Sequence, residues 1–184
     1  MAKYEGEFTA RGQRFLLRNA RGADAQKEID SIEQSTLETE FLTWLPGEYS
    51  RQFDAADEAK WLESTVSEEN TLYLFAFTDD GELVGSCSTG YGTNKARARH
   101  LGDIAAGVAK AYWGLGLGRH MMEVCMDWAR ERQVEVIELQ VETENIRALR
   151  LYLGLGFEIN GRLPRHLKNA RGEYQDVYLM SKFL

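Results

Sequence analysis

The chain has 184 residues, 43% of them hydrophobic and 28% charged, a length that fits one domain with a core of its own. Its formal net charge of −7 argues against nucleic acid as a partner, because phosphate binding needs a basic surface. The acidic balance suits a cationic substrate such as an amine, although the same charge also serves solubility alone.

Residues 1–12 carry no strong pattern and read as a flexible or extended N-terminal segment. Residues 14–18 (RFLLR) read as a first strand, and 23–42 as a polar helical region, broken near Ser35 and Thr36. Residues 43–54 form an ambiguous join around the Pro46-Gly47 turn signal. A helix follows at Ala55–Ser67, then an aromatic and apolar strand at Thr71–Thr78 (TLYLFAFT). Asp80-Gly81 marks a hairpin turn, with the partner strand at 83–90. Residues 100–109 form another strand, ahead of a glycine cluster. Leu117, Met121, Cys125 and Trp128 recur at helical spacing and define one helix face. Residues 134–141 (VEVIELQV) alternate as a strand. Residues 145–153 make a short helix with Leu149 and Leu153 on one face, closed by Gly154 and Gly156. Tyr174–Phe183 is a final strand. Antiparallel hairpins followed by a βαβ unit define a mixed α/β chain rather than a long alternating series. The longest apolar run, 72–77, is far below the roughly 20 residues of a membrane helix. Residues 1–11 hold no secretory apolar region, so a cytoplasmic address and no membrane partner are expected. The two cysteines, Cys87 and Cys125, have no metal-ligand spacing, so neither a metal nor a disulfide framework is expected.

The cluster 112–119 (YWGLGLGR) sits between a strand and an amphipathic helix. Glycines there let backbone N–H groups approach an anion, with the positive end of the helix dipole behind them, an arrangement suited to a pyrophosphate. A Walker A loop needs Gly-Lys-Ser/Thr where this chain has Gly118-Arg119-His120. A dinucleotide fingerprint needs GxGxxG, and this chain has GxGxG late in the sequence, after a hairpin. An acyl-CoA loop, Gln/Arg-x-x-Gly-x-Gly/Ala, matches at Gly116 and Gly118 and departs at Trp113, which stands in the Gln/Arg position. A packing turn without a ligand is the remaining reading of the cluster.

Downstream, Asn145, Ala148 and Tyr152 followed by Gly156-Phe157 complete an N-x-x-A-x-x-x-Y…G-F pattern. With these two elements in order, the chain resembles the GNAT (Gcn5-related) N-acetyltransferases. Gly161-Arg162-Leu163 and 172–176 (GEYQD) add a likeness to the branch of ribosomal-protein, diamine and amino-acid acetyltransferases. The resemblance implies a mostly antiparallel central sheet, flanked by helices and splayed between the fourth and fifth strands. It implies acetyl-CoA as co-substrate, its pantetheine arm pairing with backbone near Gly107, Val108 and Ala109. The N–H groups of Gly114, Leu115, Gly116, Leu117, Gly118 and Arg119 would take the pyrophosphate. Asn145 would touch the cofactor arm, and it also suits a helix N-cap.

By the same resemblance Tyr152 sits beside the thioester sulfur, where a phenol of ordinary pKa about 10 can protonate the departing thiolate. An alkyl ammonium is only about one part in a thousand neutral near pH 7, so a base is useful. Asp103, on the strand before the loop, stands where some relatives carry a glutamate, and would need burial or a relay to serve. Glu38 and Glu40, in the early helical segment that walls the acceptor cleft in relatives, could hold a cationic substrate. His100, His120 and His166 are scattered and suggest no triad. The expected activity is direct acetyl transfer to the primary amine of a small molecule such as a polyamine or amino acid. A protein N-terminus as acceptor and an inactive CoA-binding sensor are the alternatives, and a homodimer is a family-level expectation.

Overall fold

The structure, a computed structural model, describes residues 4–92 and 96–184. Its frame is an eight-stranded sheet in the order β1-β2-β3-β4-β5-β6-β8-β7. The strands are β1 Glu5–Ala10, β2 Gln13–Asn19, β3 Thr71–Thr78, β4 Leu83–Tyr91, β5 Leu101–Val108, β6 Val136–Glu142, β7 Glu158–Lys168 and β8 Tyr174–Phe183. The α-helices among the described residues are α1 Ala25–Glu38, α2 Tyr49–Gln52, α3 Ala55–Ser67, α4 Leu117–Glu131 and α5 Ile146–Gly154. Every neighbouring pair of strands is antiparallel except β5 and β6. That parallel pair is joined only at Leu101–Val136, Gly102–Ile137 and Asp103–Glu138. Beyond Asp103 the two strands part. The expected splay is this gap, and the strands flanking it are fifth and sixth because the chain carries a strand more at its start.

Of the two forms expected for the N-terminal segment, flexible or extended, residues 5–10 take the extended one: they pair residue for residue with β2. Arg11 and Gly12 both take left-handed backbone, φ 51° and 80°, which is the two-residue turn that matches strand twist. Met1–Lys3 lie outside the described residues. Two further expectations change along α1. The helix runs unbroken through Ser35 and Thr36, since the Thr36 hydroxyl donates to the Glu33 carbonyl at 2.7 Å and so needs no other partner. It ends at Glu38, which leaves Glu40 in the following loop. Helix α3 starts where Asp54 accepts from the Ala56 and Asp57 amides, both at 2.9 Å.

The sheet has a packed face on each side. Helix α4 lays Leu117, Met121, Met122, Cys125, Met126, Trp128 and Ala129 against one face. There they meet Cys87 of β4, Ile104 of β5 and Ile137, Leu139 and Val141 of β6 in a single cluster that also takes in Tyr152 and Phe157. On the other face Leu62 of α3 and Ala25 of α1 cover Phe75, Phe77 and Leu83. In α5 the expected Leu149 and Leu153 face is only half right, because Leu153 is 52% exposed and Tyr152 is the helix residue buried. Strand β7 has no buried residue at all, the pattern of a solvated edge strand.

Candidate active site

Where β5 and β6 diverge, a cavity of about 1110 Å³ runs through the sheet. Its walls are the freed ends of β5 and β6, the turn before α4, the start of α5, and residues of α1 and the loop after it. In an antiparallel ladder alternate residues turn their amides to alternate sides. The Ala109 amide donates to the Val84 carbonyl at 2.9 Å, so Ala109 and Gly107 face β4. Ile104, Ala106 and Val108 therefore turn their backbone groups toward the gap. Of the three residues expected to pair with a ligand arm, only Val108 meets that condition, and Ala106 is added. Its carbonyl is engaged: the Trp113 indole N–H donates to the Val108 oxygen at 2.6 Å.

Trp113 thus has a part of its own. It ties the loop to the strand end, while the Arg147 guanidinium lies 4.5 Å from its ring centroid. Gly114 and Gly116 adopt φ 78° and 84°, a region that side-chain-bearing residues rarely occupy. They turn the chain so that Gly116 becomes the N-cap of α4, with no side chain capping the helix and no acidic residue in its first turn. The first amides of α4 are left as donors beside the cavity. Gly114, Gly116, Leu117, Gly118 and Arg119 all line it, whereas Leu115 packs back toward the core. Arg119 reaches across to the Gly154 carbonyl at 3.2 Å and links α4 to the end of α5.

Asn145 caps α5, its side-chain oxygen accepting from the Ala148 amide at 3.1 Å, and it also lines the cavity. Two helical turns later Tyr152 enters the same space, 9% exposed. Burial first, then the nearby Cys87 and Glu142, push its phenol up to about 12. The hydroxyl is therefore a donor at any physiological pH.

The carboxylates expected to serve the acceptor are distributed differently. Glu38 lines the cavity, but one of its oxygens accepts from the Lys110 amide at 2.8 Å. Glu40 is outside the cavity and pairs with Arg171 at 3.3 Å on the surface. Asp103 lies on the stretch of β5 still joined to β6 and is not part of the cavity wall. Partial burial raises its pKa, with the Gly90 amide acting against that. Glu142, which sequence reading passed over, is 8% exposed and lines the cavity. Tyr73, Ser86, Ser88, Gln140 and His166 are further wall residues without a sequence motif. The strand alternation of VEVIELQV was the available signal for Gln140, since it sets that side chain opposite the buried Leu139 and Val141. Among the described residues, no group of three or more His, Cys, Asp or Glu side chains is placed to hold a metal, and no helix is long and apolar enough to cross a membrane.

A sheet opened at the parallel junction of β5 and β6, with an uncapped helix N-terminus and a glycine turn at the opening, describes a cleft for an extended, phosphorylated ligand. Residues 31–157 match the acetyltransferase (GNAT) family. The chain belongs to that family and is an N-acetyltransferase. An L-amino acid N-acetyltransferase, AaaT, of Escherichia coli is 33% identical over 127 residues, which cover 66% of this chain and 74% of that protein. A GNAT-family acetyltransferase from Streptococcus pneumoniae superposes with a TM-score of 0.84 at 29% identity, covering 92% of this chain and 99% of the other. The yncA acetyltransferase of Salmonella typhimurium, solved with acetyl-CoA, gives a TM-score of 0.77 at 23% identity, covering 92% and 94%.

Proposed function

We propose that this enzyme transfers the acetyl group of acetyl-CoA to the primary amine of a small molecule, of the amino-acid type, by direct attack. The observation that carries this reading is the continuity of the cavity. One space joins the first turn of α4 to the pocket walled by α1, Phe41, Leu42 and Trp44. Donor and acceptor can then meet without a covalent enzyme intermediate, and holding two reactants together supplies much of the rate.

In this reading the pyrophosphate sits on the amides of 114–119, where the helix dipole and the absence of an acidic first turn favour negative charge. The pantetheine arm lies in the gap as a further strand beside the backbone of Ala106 and the amide of Val108, whose carbonyl Trp113 already holds. Arg147, held on the Trp113 ring, offers a cation at the loop in place of the Gln or Arg side chain that Trp113 replaces. Tyr152 donates to the sulfur as the carbon–sulfur bond breaks. The amino-acid acceptor follows the activity of the Escherichia coli relative, and the net charge of −7 agrees with an ammonium-bearing acceptor.

The test is thiol release from acetyl-CoA with a panel of amino acids, polyamines and a peptide N-terminus. We expect turnover with amino acids. Release confined to the peptide would move the acceptor to a protein N-terminus, and tight acetyl-CoA binding without release for any acceptor would leave a CoA-binding sensor.

A further inference from the structure

Three carboxylates line the cavity: Glu38, Glu142 and Glu144. Glu38 is engaged by the Lys110 amide, and Glu144 is exposed on the turn before α5. Glu142 alone is buried, at 8% exposure. It stands on the β6 face shared with Gln140, opposite the core residue Val141. Its backbone is fixed on both sides: its carbonyl accepts from the Asn145 amide at 3.0 Å, and the Thr143 amide donates to the Asp176 carbonyl at 2.9 Å. Among the described residues no cation is paired with its carboxylate. Burial raises its pKa, and only its own backbone amide acts in the opposite sense. Its charge in turn contributes to the raised pKa of Tyr152, and both residues line the same cavity.

We propose that Glu142 is the group that takes the proton from the acceptor ammonium, working across the cavity from Tyr152. This rests on the acetyl-transfer reading above. The ammonium gives its first proton to the Glu142 carboxylate, which releases it to water. The free amine attacks the thioester carbon, forming the N–C bond. As the C–S bond breaks, the Tyr152 hydroxyl passes its proton to sulfur. The nitrogen's second proton, passed through water in the cavity, restores the phenol. The products are the amide, the CoA thiol and one proton in solution, so charge and atoms balance. A buried carboxylate whose pKa lies above the usual range is a stronger base than a solvated one. The titratable and charged groups around it are Tyr152 and Arg147 of α5, Glu144 beside it, His166 of β7, Glu38 of α1, and Cys87 behind Tyr152.

The experiment compares wild type, Glu142→Gln and Glu142→Asp in thiol release from acetyl-CoA between pH 5.5 and 9.5. It uses one strongly basic amine and one weakly basic amine that is already neutral at pH 7. For the basic amine Glu142→Gln should lower kcat/KM by about 10²-fold at pH 7. The acid limb of the wild-type profile should vanish, leaving a rate that climbs steadily toward the pKa of the amine. Glu142→Asp should restore part of the rate and keep an acid limb. The weakly basic amine should lose less than about 5-fold, since it has no first proton to give up. Acetyl-CoA affinity and melting temperature, measured alongside, identify a variant that merely misfolds; in that event the acid limb of Glu142→Asp decides. An unchanged acid limb in a folded Gln variant, or an equal loss for both amines, overturns the proposal for Glu142. Absence of thiol release by the wild type would instead overturn the acetyl-transfer reading beneath it.

Discussion

Tyr152 is placed by two unrelated requirements that coincide. Its ring packs against Phe157 within the α4-side core, while its hydroxyl edge belongs to the cavity. With its pKa near 12, full transfer to a free thiolate of pKa about 8.5 would run uphill, so in the proposed reaction the phenol would act as a hydrogen-bond donor whose proton moves only as the C–S bond breaks. We expect Tyr152→Phe to lower kcat by roughly 10- to 10⁴-fold with acetyl-CoA affinity little changed. Unchanged kcat in a chemistry-limited assay would remove the acid role. That Asn145, Tyr152 and three loop glycines, Gly114, Gly116 and Gly118, meet along one cavity was legible in their order, because motif and local geometry demand the same residue at the same place. Asp103 and Glu40 lie off the cavity wall, a placement the sequence could not reveal, because a carboxylate on a strand or near a helix end gives no sign of which way it faces. Glu142 escaped notice for the converse reason: an acidic residue at the end of an alternating strand looks solvated until the sheet opens beside it.

Helices α1 and α3 meet through an acid pair buried away from the catalytic gap. Glu28 and Glu58 are each 2% exposed, Tyr73 donates to Glu28, and Tyr49 donates to Glu58 at 2.7 Å. One oxygen of each carboxyl has no other partner, which a proton shared between the two acids would satisfy. Burial raises the Glu28 pKa to about 8; the Tyr73 hydrogen bond opposes this and the neighbouring Glu58 adds to it. The folded chain therefore holds a proton that the unfolded chain releases near pH 4.5. This contribution to stability is complete below that pH and is lost as pH rises toward 8. Glu28→Gln, whose amide can donate to Glu58 as the proton does, should match the wild-type melting temperature near pH 5. By pH 8.5 the variant should melt several degrees higher, each kcal/mol corresponding to about 2–4 °C in a chain of this size. Parallel melting curves across that range would refute the shared proton. At this scale Ala55–Ser67, Thr71–Thr78 and Tyr174–Phe183 were read to the residue, because capping and apolar alternation were both strong. Strands β1 and β7 were not, since an edge strand buries little and its polar residues carry no period. Helix α2, at four residues, is too short to have one.

Across the whole molecule, one parallel junction in an otherwise antiparallel sheet decides where chemistry can occur. The sequence indicated it through order alone, hairpins followed by a βαβ unit, and the family pattern implied the splay. The width of the opening depends on how few residues of β5 and β6 stay paired, which no local pattern records. The gap also separates the tryptophans. Trp113 sits on the wall near the first turn of α4, and Trp44 on the wall beyond α1, stacked edge-on against Tyr49 and Phe53. Trp61 and Trp128 lie outside the cavity wall. Donor loading should accordingly change the emission of Trp113, and acceptor loading that of Trp44. Trp113→Phe should abolish most of the fluorescence change on titration with acetyl-CoA and spare the change produced by the amine; a signal retained in full would place the donor elsewhere. On the proposed placement each substrate would have its own intrinsic optical probe, so the order in which they arrive could be followed by stopped-flow without any label.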